Sequence, residues 1–162
     1  MDFSWPLDHN RIRGGLKNHT FGMVRKYPNG KAKPHQGWDF EAAVGTPCFA
    51  VAAGQVVSVT ETPDYGKQLC LAFQIDGVKR WAFYAHLDEV SVSAGEAVAL
   101  GAQVGRTGRT GNAETLEAAE DHLHFELRTR ATPRSGLLDR VSPNELFGVC
   151  PMSKPVLREG SA

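Results

Sequence analysis

The sequence predicts a mainly β protein, a single domain built on an antiparallel β-sheet, with short helices in loops and near the carboxyl terminus. Short runs of alternating apolar and polar residues recur along the chain, separated by 17 glycines and 9 prolines. Asp76-Gly77 joins two such runs and is a typical hairpin turn. A chain of 162 residues is long enough to bury one core without disulfide or metal staples.

The elements follow from this pattern in chain order. Residues 1–34 are rich in Gly, Pro, Asn and basic groups, which predicts loops, with 1–20 as an extension before a core at 21–148. Ser142 before Pro143 predicts the start of a short helix, and the tail at 149–162 is expected to fray after Pro151. The predicted strands lie at 49–61, 69–75, 80–87, 98–108 (one or two short strands) and 122–128.

Composition excludes several classes of partner. Eighteen basic and eighteen acidic residues give zero net charge, so nothing favours nucleic acid, and no apolar run is long enough to span a membrane. The amino terminus shows no signal-peptide pattern, which predicts synthesis in the cytosol. The three cysteines, Cys48, Cys70 and Cys150, form no C-x-x-C motif; buried thiols are favoured, although one disulfide stays open.

The stretch DHLHFEL, residues 121–127, alternates apolar and polar side chains. In a strand, residues at i and i+2 share a face, so His122 and His124 lie on one side and Leu123 and Phe125 on the other. This pattern alone fits a water-facing polar surface, a metal site or a catalytic pair.

Three further groups favour a metal site. HQGWDF contains His35 and Asp39, and FYAHL places His86 at the end of an aromatic strand. Catalytic zinc sites use three His, Asp or Glu ligands and keep a fourth position open for water. His35, Asp39 and one of His122 and His124 complete such a set, and the surplus imidazoles favour catalysis over a structural zinc. His9 and His19 are interpreted as surface or structural residues.

The ordered motifs HQGWDF, YAHL, GRTGRTG and HLHFEL, spread from about Phe21 to Pro143, resemble the lysostaphin/LytM-type zinc peptidase family. The resemblance implies a β-sheet domain with a groove and one zinc ion bound by His35, Asp39 and His124. It also implies that His86 and His122 are the catalytic imidazoles, and that the substrates are the stem peptides and cross-bridges of peptidoglycan.

Other side chains are candidates for the groove. Tyr84 precedes His86 by two residues, so it either lines the groove or is a core or sheet-surface aromatic residue. Glu126 shares the histidine face and either accepts a hydrogen bond behind the metal ligand or forms a structural ion pair.

The segment 112–121 departs from the family pattern. The family has about one residue between the second Thr-Gly and the histidine strand, whereas ten residues stand there in this chain. Good helix formers predict a short helix or helical loop. A solvated loop is the favoured interpretation; the alternative is an acidic groove wall that selects a substrate amine. Its carboxylates are Glu114, Glu117, Glu120 and Asp121.

The sequence and the family resemblance also predict a site of action and leave alternative functions open. Without a visible signal peptide, the protein is expected to reach the periplasm or wall of a target bacterium as a phage lysin or as a delivered toxin, such as a type VI secretion effector. A delivered toxin implies delivery machinery and an immunity protein. The alternatives are a non-catalytic LytM-like module that activates a wall amidase and a zinc peptidase of non-wall peptides.

Overall fold

The computed structural model describes residues 2–160. The strands are β1 (His9–Asn10), β2 (Gly22–Lys26), β3 (Ala32–His35), β4 (Trp38–Glu41), β5 (Pro47–Phe49), β6 (Gly54–Thr62), β7 (Gly66–Ile75), β8 (Val78–Val90), β9 (Ala97–Val98), β10 (Gln103–Thr107), β11 (His122–Arg128), β12 (Arg140–Val141) and β13 (Val156–Leu157). The helical segments are α1 (Asn144–Phe147) and 3₁₀ turns at Arg13–Gly15, Lys17–His19, Gly111–Ala113 and Ala118–Glu120.

Within these residues, nine strands form one antiparallel sheet, which confirms the predicted fold class. Its main order is β12-β11-β8-β7-β6-β9. Strand β4 pairs with β11, and β10 pairs with both β5 and β8. The predicted hairpin is β7–β8, and Asp76 and Gly77 both have positive φ (51° and 78°), as a two-residue hairpin turn requires.

The alternation predicted for β11 is present. Leu123, Phe125 and Leu127 are almost completely buried on the core face of the sheet. His122 and His124 belong to the opposite face, where the cleft described below opens. Apolar burial on one face and polar groups on the other fix the register of this strand, because a shift of one residue would exchange the two faces.

Helix α1 closes the core, as the Ser142-Pro143 pair predicted. It begins at Asn144, whose backbone N–H donates to Ser142 Oγ over 3.2 Å. Phe147 stacks on Trp5 and Trp38, with ring centroids 4.3 Å and 5.9 Å apart.

The predicted frayed tail and N-terminal loops are wrong in part. Strands β1 and β13 pair with each other, and Asn10 Nδ2 donates to the Val156 carbonyl over 3.1 Å. Strands β2 and β3 form a hairpin inside the segment predicted as loops. These strands are too short, or too polar, to show a period-2 pattern. Leu7 and Ile12 nevertheless anchor the amino-terminal segment in the core.

The cysteines are free: Cys48 and Cys70 are buried, and Cys150 is half-buried. None of the helices in residues 2–160 has the length and apolar character needed to span a membrane.

Candidate metal centre and active site

Three predicted ligands meet beside the sheet. His35 ends β3, Asp39 lies in β4, and His124 lies opposite Asp39 on β11. One ligand atom from each lies within 4.8 Å of those of the other two. Asp39 Oδ1 lies 3.2 Å from His35 Nε2 and 2.9 Å from His124 Nδ1. Two imidazole nitrogens and one carboxylate, all buried, therefore converge on one point.

Gly37 makes this convergence possible. A Cβ at this position would lie 2.0 Å from the Phe125 carbonyl oxygen, so a side chain would push the β3–β4 turn away from β11. The glycine in HQGWDF therefore sets the distance between the first two ligands and the third.

Backbone carbonyls fix three imidazoles in the same tautomer. The Nδ1 atoms of His35, His86 and His122 donate to the carbonyls of Thr20 (2.8 Å), Thr110 (2.8 Å) and Glu120 (3.0 Å). Each Nε2 is thereby left for a metal or a substrate. The rings of His86 and His122 lie 5.2 Å apart, on the same side of the sheet as the donor set.

His124 is oriented the other way, by Glu126. Its Nε2 donates to Glu126 Oε1 over 3.0 Å, which leaves Nδ1 for the donor set. Glu126 is fully buried and also accepts hydrogen bonds from Arg128 (2.7 Å), Arg140 (2.9 Å) and the Tyr65 hydroxyl (2.8 Å). Both roles considered for Glu126, the acceptor behind the ligand and the structural ion pair, are present together.

The groove role considered for Tyr84 is wrong. Tyr84 is completely buried, packs edge-on against Phe125 and donates its hydroxyl to the Phe49 carbonyl. The pairing of β7 with β8 shifts between Leu69 and Lys67, and His86 has a φ of 60°. This bulge interrupts the alternation, so Tyr84 and His86 lie on opposite faces of the sheet.

The acidic groove wall is also wrong. The segment before β11 forms two 3₁₀ turns, and its cleft-lining residues are the uncharged Asn112, Ala113 and Leu116. Asp121 is held by Arg109 in a bidentate ion pair outside the cleft. Glu120 is half-exposed and lies 3.8 Å from Arg13; its contribution to the site is its carbonyl.

The centre lies in a cleft of about 410 Å³. Its lining residues are Arg13, His19, Arg25, Lys33, Pro34, His35, Gln36, Asp39, Tyr65, His86, Asn112, Ala113, Leu116, His122 and His124. Several of these were not predicted from the sequence. His19 is buried 3.2 Å from Asp39 Oδ2, and Arg25 donates to the same oxygen over 2.8 Å. Their partners are distant in sequence, and no short motif marks them.

Asp39 and His124 form a strongly coupled pair. Burial would raise the pKa of Asp39, but hydrogen bonds from His124, His19 and His35 outweigh it and hold the pKa well below the ordinary range. Burial would lower the pKa of His124, but hydrogen bonds to Asp39 and Glu126 raise it to about 9. The carboxylate is therefore ionised over the whole neutral range.

Two further imidazoles of the cleft, those of His86 and His122, are neutral at neutral pH. Burial, together with the neighbouring His124 and His122, lowers the pKa of His86 to about 4. Burial also lowers the pKa of His122, against the opposing effect of Asp39. A neutral imidazole with Nδ1 bound to a carbonyl presents the lone pair of Nε2, which can accept a proton.

An antiparallel sheet with a His-Asp-His donor set and two neutral imidazoles in one cleft defines a domain of the metallopeptidase class. A model of this class, "Peptidase family M23", matches residues 33–135, more than half of the chain. The chain belongs to peptidase family M23.

Curated relatives agree with this assignment. The chain is 32% identical over 132 residues to the peptidoglycan DD-endopeptidase ShyB of Vibrio cholerae, covering 80% of this chain and 28% of the relative. It is 34% identical over 124 residues to the glycyl-glycine endopeptidase ALE-1 of Staphylococcus capitis, covering 75% of this chain and 33% of the relative. The chain thus spans about a third or less of the length of these relatives.

Solved structures share the fold. A zinc-containing peptidase from Vibrio cholerae superposes with a TM-score of 0.66 at 29% identity, covering 82% of this chain and 39% of that one. The catalytic domain of lysostaphin from Staphylococcus simulans gives a TM-score of 0.62 at 27% identity, covering 86% of this chain and 99% of that domain.

Proposed function

We propose that this domain is a zinc-dependent endopeptidase that hydrolyses peptide cross-links of bacterial peptidoglycan. The observation that carries the proposal is the convergence of His35, Asp39 and His124, with the Nε2 atoms of His86 and His122 free in the same cleft. Relatives named as a DD-endopeptidase and a glycyl-glycine endopeptidase support the substrate class.

The donor set fits zinc. Two imidazole nitrogens and one carboxylate oxygen are the donor types of catalytic zinc sites, and each is held by a further hydrogen bond: His35 to Thr20, His124 to Glu126 and Asp39 to Arg25. When bound there, zinc supplies Lewis-acid polarisation of the scissile carbonyl and lowers the pKa of a bound water to about 7.

The remaining chemistry belongs to the two neutral imidazoles. One Nε2 accepts the proton of the attacking water as the C–O bond forms. The imidazolium produced donates that proton to the leaving amine as the C–N bond breaks, which restores the neutral ring. The second imidazole contributes to stabilising the tetrahedral oxyanion. The low pKa of His86 makes its imidazolium a strong proton donor.

Digestion of purified sacculi tests the proposal. The zinc-loaded protein should release cleaved cross-links, identified by mass analysis of the muropeptides, and a chelator should stop the reaction until zinc is restored. Zinc bound at one ion per chain with intact cross-links would overturn it. That outcome would instead favour the non-catalytic module that activates an amidase, or a peptidase of other peptides.

The place of action is also a proposal: the periplasm or wall of a target bacterium, reached as a phage lysin or as a delivered toxin with an immunity protein. Expression directed to the periplasm should lyse the host, whereas the same protein kept in the cytosol should not. Equal toxicity in both compartments would contradict this.

A further inference from the structure

The charge of the cleft is positive, opposite in sign to the acidic wall that was the alternative interpretation of segment 112–121. Three basic side chains line it: Arg13, Arg25 and Lys33. The lining contains one carboxylate, Asp39, which is already engaged by Arg25 and by imidazoles. A divalent metal at the donor set adds further positive charge.

Two of these cations are placed where they oppose folding. Arg25 and Lys33 are direct partners across the β2–β3 hairpin, and like charges directly opposite each other destabilise a strand pair. Arg25 is compensated by Asp39 Oδ2 at 2.8 Å. Among residues 2–160, no carboxylate lies within ion-pair distance of Lys33, whose ammonium is 5.5 Å from the Tyr27 ring centroid. An anion in the cleft would remove this unfavourable pairing.

Both cations available to a ligand line the cleft that holds the imidazoles. Lys33 precedes the ligand His35 by two residues on β3 and so shares its face. The Arg13 guanidinium lies 3.1 Å from His122 Nδ1, and its side chain is 18% exposed. The carboxylate nearest to Arg13 among the ion pairs of residues 2–160 is the half-exposed Glu120, at 3.8 Å, and a substrate anion competes effectively with so weak a pair.

We propose that Arg13 and Lys33 bind a carboxylate carried by the substrate residue on the amine side of the scissile bond. This inference rests on the proposed function and specifies its substrate class. Cross-links made to a diamino acid with a free carboxylate next to the acylated amine fit the cleft. The same link with that carboxylate amidated, or a bridge of glycines alone, lacks the anion.

The carboxylate could come from two places in a stem peptide, the diamino acid or the free carboxyl terminus. Three synthetic substrates separate these sources: a D-alanyl-diaminopimelate cross-linked peptide with both carboxylates free, one amidated only at the diamino acid, and one amidated only at the carboxyl terminus. We expect kcat/KM to fall about tenfold for the second substrate, which corresponds to about 1.4 kcal/mol, and to be unchanged for the third.

Variants then assign the effect to the two cations. Arg13→Gln and Lys33→Gln should each reduce the preference for the free carboxylate by about threefold. Lys26→Gln is the matched control, because Lys26 is exposed on the same hairpin and does not line the cleft. Raising NaCl from about 0.05 M to about 0.5 M should reduce the preference of the unaltered protein. Zinc content and circular dichroism verify that each variant is folded.

Calorimetric titration with the product peptides separates the two proposals. If no substrate is cleaved, the proposed function fails, but tighter binding of the free carboxylate than of its amide, lost in Lys33→Gln, would still support the inference. Cleavage of the free and amidated substrates at equal rates would overturn it. So would preferences unaltered in both variants, or a loss confined to the terminal amide.

Discussion

His124 Nε2 donates to Glu126 Oε1 over 3.0 Å, between neighbours on one face of β11. The bond presents Nδ1 to Asp39 and ties the third ligand to a buried carboxylate that also binds Arg128 and Arg140. The orientation of the ligand and the stability of the sheet therefore depend on the same side chain.

Replacing Glu126 by Gln should weaken both properties. Two arginines would lose their buried counter-charge, so we expect the free energy of unfolding to fall by about 3 kcal/mol. Zinc affinity should fall about tenfold or more, because His124 loses its anionic acceptor. Urea denaturation and titration against a competing chelator measure the two effects. Glu61→Gln, at an exposed position, is the control, and unchanged zinc affinity in Glu126→Gln would contradict the assigned role.

Alanine variants should divide the imidazoles by function. Asp39→Ala and His124→Ala should lose both zinc and activity, since each removes a ligand atom of the donor set. His122→Ala should keep zinc and lose about two orders of magnitude or more in kcat. Metal analysis of the purified variants, beside muropeptide release, provides the comparison. Zinc loss in His122→Ala with retention in His124→Ala would reverse the assignment.

Strand β11 was predictable because period-2 alternation is a local pattern. Helix α1 was predictable for the same reason, because Ser142-Pro143 is a local start signal. Tyr84 was placed on the wrong face because nothing in FYAHL reveals the left-handed backbone at His86. The acidic groove wall, the alternative to the favoured solvated loop, was also wrong, and the sequence did not reveal the positive charge of the cleft. Its determinants are tertiary contacts: Arg109 pairs with Asp121, and Arg13 and Lys33 reach the cleft from segments that were predicted as loops.

Acid should destabilise the metal-free protein partly through His86. Burial lowers its folded-state pKa from the ordinary 6.5 to about 4, so between these values the unfolded chain binds a proton that the folded chain does not. Its contribution to stability is present above pH 6.5 and is lost as pH falls towards 4. His86→Gln should flatten this decline by at most about 3 kcal/mol.

Urea unfolding of the metal-free protein at several pH values between about 4 and 7 measures that slope. His9→Gln removes an exposed imidazole and is the matched control. A slope unchanged by His86→Gln would show that other groups account for the acid sensitivity.

Gly66→Ala should reduce activity through His86. A Cβ at Gly66 would lie 2.2 Å from Thr110 Oγ1, and the Thr110 carbonyl holds His86 Nδ1. Gly77→Ala is the matched control: its φ is also positive, but a Cβ there meets nothing within 4 Å. Both variants should cost about 1 kcal/mol of backbone strain, and Gly66→Ala alone should lower kcat. Equal kcat values would contradict the coupling.

The segment 112–121 should affect substrate cleavage through Leu116 and not through its glutamates. Glu114→Gln and Glu117→Gln change exposed side chains that do not line the cleft, so cleavage preference should not change. Leu116→Ala removes part of the cleft wall and should raise KM. Parallel assays on the free and amidated cross-linked peptides decide this, and an altered preference in the glutamate variants would restore the acidic-wall interpretation.

The unpaired cysteines have a consequence for metal loading. Burial raises the pKa of the Cys48 thiol to about 12 and that of Cys70 to about 11, so both stay protonated at neutral pH. Thiolates bind soft metals and react with oxidants, whereas buried thiols do neither. Zinc added to the folded protein therefore meets little competition from these two thiols, and reductant can be present throughout refolding without removing any covalent cross-link of the fold.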